Sequence, residues 1–167
     1  MKKLKSRKAF TLIEVMCVVV IMVLLSGVLL VGVRLARDSY DESISRSEGE
    51  LLCSTLTTAI SDELRYAGST EVDAAGTIQT FFSQKFGRLE GGFSLSDGHV
   101  MLGETALLAD KAYTYGLKVT TLTVQYNAAA YAFNITLKIS RNGSEITSEQ
   151  FSVKPVNPVK VTGAASD

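Results

Sequence analysis

The chain has 167 residues, with 17 basic against 17 acidic side chains and 46% hydrophobic residues. That length has room for one modest folded domain beside an apolar helix and not for several. Five cations, Lys2, Lys3, Lys5, Arg7 and Lys8, fall in the first nine residues without an anion; the remainder holds 12 basic and 17 acidic residues, a net −5, which argues against nucleic-acid binding by the folded domain.

Behind this basic leader, Glu14 stands at the mouth of an apolar run from Val15 to Val33. Nineteen residues at ~1.5 Å each give roughly 28 Å of helix, the thickness of a bilayer's hydrocarbon core. An ionised carboxylate within such a helix costs on the order of 2.5 to 3.5 kcal/mol at its centre and less near an end, so Glu14 calls for a partner. Five cations precede the span, whereas Arg34 and Arg37 follow it among acidic residues, which predicts a cytoplasmic N-terminus and an extracytoplasmic domain. A removable secretory signal is not expected, because cleavage after Ala36 would put Arg34 where a small residue is needed.

The segment KAFTLIEVM, residues 8–16, resembles the start of the type IV pilin and pseudopilin family, with Ala9, Phe10 and Glu14 in the family's register ahead of the apolar helix. The resemblance implies that a prepilin peptidase cuts between Ala9 and Phe10 and methylates the new amine of Phe10, and that the helix is retained. Glu14 would then meet the Phe10 ammonium of a neighbouring subunit, joining two charges in a low-dielectric bundle. Implied partners are the peptidase, other pilin-like subunits and, indirectly, an assembly platform protein and its ATPase. The mature size, the DELRYAG stretch at 62–68 and the lack of a C-terminal cysteine pair look most like a minor pilin or a J-type pseudopilin. The alternative is an uncut, single-span membrane anchor carrying an extracytoplasmic binding or sensor domain.

Six segments follow in chain order. Residues 1–9 are the basic leader and 10–33 the transmembrane, filament-core helix. Residues 34–67 continue as an amphipathic half-helix, since Leu52, Leu56, Ile60 and Leu64 recur every four residues and Gly68 supplies a helix stop behind Arg65. Residues 68–92 lack a clear period and read as an αβ loop with short structured pieces, tucked onto the domain by Phe81, Phe82 and Phe86.

From 93 to 162 the pattern is that of an antiparallel sheet. Tyr131, Phe133, Ile135, Leu137 and Ile139 alternate with polar residues, and Asp97-Gly98 and Asn142-Gly143 mark tight hairpins. A slip in the apolar phase at Thr120 and Thr121 predicts a bulge. Pro155 and Pro158 suit an edge strand, and 163–167 reads as a disordered tail. The fold class expected is α+β, a long N-terminal helix packed on a C-terminal antiparallel sheet, as in pilins.

Nothing in the chain asks for catalysis, a cofactor or a metal. His99, the sole histidine, follows a turn and reads as a surface or satisfied residue and not a catalyst. Cys17 and Cys53, 36 residues apart on one helix, would be about 54 Å apart and unable to form a disulfide. Cys17 reads as an apolar filler and Cys53 as a buried helix residue.

Overall fold

A computed structural model describes residues 11–163. The expected leader, Ala9, Phe10 and all but the first residue of the expected tail lie outside them. Within them the chain is α+β: one α-helix, α1 (Leu12–Arg65), precedes ten strands, and two short 3-10 helices lie between the sixth and seventh strands. It divides into two units, one up to Ser43 and one from Ile44 onward.

In the first unit α1 is apolar on every face from Val15 to Val33, and its large side chains are all exposed. It is long and apolar enough to cross a membrane. A helix without a polar face fits lipid or a core, not water. Ser26 donates its hydroxyl to the Met22 carbonyl at 2.8 Å, which satisfies the hydroxyl within the helix.

In the second unit α1 buries the stripe Ser45, Gly49, Leu52, Cys53, Leu56, Ile60 and Leu64, so the four-residue leucine and isoleucine spacing does form the core face. Leu56, Ile60 and Leu64 have no exposed surface, and each stabilises the domain by about 1.5–3 kcal/mol.

The helix ends before Gly68, which is not its stop. Residue 68 lies inside β1 (Ala67–Val72). The final carbonyls find partners in other parts of the chain: the Val156 N–H donates to the Arg65 carbonyl at 2.9 Å, and the Gln84 N–H to the Tyr66 carbonyl at 2.9 Å. Tertiary hydrogen bonds thus replace a left-handed glycine cap.

The stretch read as the αβ loop is largely sheet. It contains β1, β2 (Ile78–Ser83) and β3 (Arg88–Gly91), paired antiparallel in that order. Bulges between Ala67 and Ser69 and between Glu71 and Val72 break the period-two pattern, which hides the first strand in the sequence. Of its phenylalanines only Phe81 is buried; it stacks on Phe93 at 5.9 Å, while Phe82 and Phe86 are exposed. Adjacent residues of a strand point to opposite faces, so Phe81 and Phe82 cannot both enter the core.

Residues 93–162 belong to three sheets and not one. β4 (Phe93–Ser96), β5 (His99–Leu102) and β6 (Thr105–Ala106) form a small antiparallel sheet. β7 (Leu117–Asn127), β8 (Ala132–Arg141) and β9 (Ser144–Val153) form the large antiparallel sheet, with β8 in its centre. β10 (Lys160–Thr162) joins the edge of the first sheet, parallel to β1. Pro155 and Pro158 lie between β9 and β10, where no ladder donor is required.

Both hairpin signals hold. Asp97-Gly98 and Asn142-Gly143 adopt positive φ at all four positions and connect β4 to β5 and β8 to β9 as two-residue turns. The bulge sits between Val119 and Thr121 in the β7–β8 ladder. Tyr131 departs from the alternation: it is 72% exposed, in the loop before β8, with φ +49°. The alternating core face begins at Phe133.

Two apolar clusters result. One joins Ile60 and Leu64 to Val72, Phe81, Phe133 and Ile135; the other joins Leu52, Cys53 and Leu56 to Val100, Leu117, Leu137 and Ile139. Gly91 and Gly103 permit a close backbone crossing beside the first, since a Cβ on Gly91 would lie 2.5 Å from the Gly103 Cα.

Candidate functional site

The candidate site is the start of α1. Thr11 stands just before the first helical residue, Leu12, and its carbonyl accepts the N–H of Glu14 at 3.1 Å and of Val15 at 3.3 Å. Glu14 is the third helical residue, and its Oε2 accepts the Thr11 N–H at 3.5 Å. Thr-x-x-Glu ahead of an apolar run is the capping-box pattern, in which the acid serves a backbone N–H at the helix start. Sequence reasoning took Glu14 as a costly charge awaiting an assembly partner and passed over Thr11, although the spacing was a legible signal.

Electrostatically, Glu14 is well placed where it stands, since a carboxylate in the first turn complements the positive end of the helix dipole. Its bond to Thr11 is long, at the limit of a hydrogen bond, so the carboxylate remains accessible to a stronger donor. The side chain is exposed, and no described cation forms an ion pair with it.

Further along the helix Cys17 is exposed. At Gly27 and Gly32 an added Cβ would meet nothing within 4 Å, so contacts within the described chain do not require a glycine at either position.

Residues 4–30 match the family model described as the prokaryotic N-terminal methylation motif. The chain carries the N-terminal segment of a prepilin-type, type IV pilin-like protein. The matched stretch runs from the leader through most of the apolar helix and includes Ala9, Phe10 and Glu14. No curated protein and no solved structure matches the prepilin-type chain.

Elsewhere in this prepilin-type chain the singled-out residues have structural roles. The His99 ring meets Tyr113 edge-on at 4.2 Å, and the Tyr113 hydroxyl accepts the Val100 N–H at 3.0 Å. Cys53 is buried, and burial, together with the nearby Glu149 carboxylate, pushes its thiol up to about 11. A thiol so seldom ionised is a poor nucleophile. Among the described residues no group of three or more His, Cys, Asp or Glu is placed to hold a metal.

Proposed function

We propose that this chain is a structural subunit, a minor pilin or pseudopilin, of a type IV pilus-like or type II secretion-like filament. The match of residues 4–30 to the N-terminal methylation motif carries the reading. In it, prepilin peptidase removes residues 1–9, methylates the amine of Phe10, and leaves the apolar helix as membrane anchor and later as filament core. Before assembly the protein is single-pass, with its N-terminus cytoplasmic and its folded domain outside, as the leader's five cations favour.

The capping box adds a physical account of Glu14. In the isolated chain the carboxylate accepts one weak bond from its own Thr11, so it need not be wholly unpartnered in the membrane. In the filament a neighbour's Phe10 ammonium replaces that donor with a charge-assisted one, and the gain favours the assembled state. Exposed Gly27 and Gly32 suit close helix packing in the same bundle.

Intact-mass analysis of the protein from cells containing prepilin peptidase tests the assignment. The expected species begins at Phe10 and carries one added methyl group. A chain still bearing residues 1–9 in cells that mature their other prepilins supports the uncut-anchor reading instead.

A further inference from the structure

Among the strands that end a sheet, β9 and β3 differ in charge. One side of the large sheet is closed: β7 donates from Val119 to the Gly98 carbonyl and from Tyr126 to the Gly76 carbonyl, both at 2.9 Å, and Gln125 bridges to Thr77. The other side is the outer edge of β9, which makes no backbone hydrogen bond to another element among the described residues.

Natural edge strands are guarded by lysine, proline or a bulge. β9 has a single bulge near its start, where Ile139 pairs with Thr147 and Ser140 with Glu145, and then runs from Thr147 to Val153 with neither lysine nor proline. Beside it lies a cleft of about 300 Å³, lined by Glu50, Ser54 and Thr57 of α1 and by Thr147, Ser148 and Glu149 of β9. No cation lines it.

β3 ends the first sheet on the side away from β10. Leu89 on this strand faces Phe82 on β2; the two are 67% and 37% exposed, and Phe86 in the turn is 52% exposed. Lys85 Nζ and the Arg88 guanidinium lie 5.2 and 5.5 Å from the centre of the Phe86 ring. Arg88 is ion-paired with Glu90 on the same strand, so the hairpin presents apolar surface and the cation Lys85 on an edge with backbone groups to offer.

We propose that the β2–β3 hairpin of one copy adds to the free edge of β9 in a second copy, with β3 as an extra strand and Lys85 facing the Glu149 carboxylate. This rests on the filament-subunit reading and specifies a contact within it. Main-chain pairing supplies the attraction and the opposite charges of Lys85 and Glu149 favour this pair of edges. The two surfaces are different, so the contact is heterologous; such contacts repeat into open helical polymers, whereas a two-fold pairing of β9 with itself would stop at a dimer.

The test mixes two differently tagged full-length copies in cells with a complete assembly system. One carries Ser148→Cys, the other Leu89→Cys, both exposed positions, and a short bismaleimide is added; the unmodified chain measures the background from Cys17 and Cys53. The expected product is a covalent dimer containing both tags, whose yield falls several-fold when Lys85→Glu is added to the Leu89→Cys copy. Dimers formed equally well by the Ser148→Cys copy alone would overturn the inference, as would cross-linking of Leu89→Cys solely to a different subunit. Absence of the mixed dimer in chains that begin at Phe10 and sediment as filaments overturns the contact and leaves the filament reading standing; retention of residues 1–9 without filaments removes the filament reading itself.

Discussion

Cys53 on α1 donates its thiol hydrogen to Glu149 Oε2 on β9 at 3.4 Å, and Thr57 Oγ1 donates to the same oxygen at 3.0 Å. Burial, the largest cause, and then the carboxylate raise the thiol from its ordinary 9.0 to about 11. A folded-state value above the unfolded one favours folding while the thiol stays protonated, and that contribution is lost as pH rises from about 9 through 11. Melting temperature should therefore fall over this window more steeply for the native protein than for Cys53→Ser, which keeps a donor to Glu149. Alkylation of Cys53 at pH 8 should be slow until the domain is unfolded.

Gly49 faces β9 where an added Cβ would lie 2.7 Å from Ile146 Cγ2. Alanine would gain about 1 kcal/mol in helix propensity. Overpacking against a stiff β-branched side chain costs about 1–3 kcal/mol. Gly49→Ala should thus lower stability by roughly 1 kcal/mol in denaturant titration, and pairing it with Ile146→Val should leave the loss unchanged because Cγ2 remains, whereas Ile146→Ala should relieve the contact.

Tyr131 holds a left-handed backbone, which costs a residue with a Cβ about 1–2 kcal/mol, while its side chain is mostly exposed. Tyr131→Asn should stabilise the β7–β8 hairpin by up to about 1 kcal/mol, because asparagine tolerates this region. A clear loss of stability in thermal unfolding would mean that the ring makes a contact worth more than the backbone strain.

Glu63 Oε2 is buried without a hydrogen-bond partner, and burial, opposed chiefly by Lys85, raises its carboxyl above the usual range. An acid raised in the folded state stabilises while protonated and loses that contribution as pH rises through its folded value. Glu63→Gln should raise the melting temperature at pH 7 and make little difference below pH 4. An equal shift at both pH values would point to packing instead of charge.

Glu14→Gln separates the two roles of that side chain, since glutamine can still cap the Thr11 N–H but carries no charge. Both Glu14→Gln and Glu14→Ala should insert and lose residues 1–9 normally yet enter sheared filaments several-fold less than the native chain. Normal incorporation of the glutamine variant would make capping, not charge, the requirement. Ala9→Leu should block removal of the leader by filling the small-residue position, visible as a retained mass of residues 1–9.

The linear pattern alone was enough for the membrane-length helix, the core stripe at Leu52, Leu56, Ile60 and Leu64, both two-residue hairpins and the bulge near Thr120, because each depends on neighbours a few positions apart. Glu14 stood out for the same reason, being an acid at the edge of an apolar run. What depended on distant partners was decided only by the tertiary structure. The helix stops at Arg65 because Val156 and Gln84 supply donors beside its last turn; β1 exists despite bulges that erase its period, because β2 and β10 pair with it; and Tyr131 leaves the core face because the hairpin loop needs a residue with positive φ. Local periodicity encodes which face of an element is apolar, whereas strand partners, helix ends and close approaches such as Gly49 with Ile146 arise when segments far apart in sequence compete for the same backbone donors and the same space.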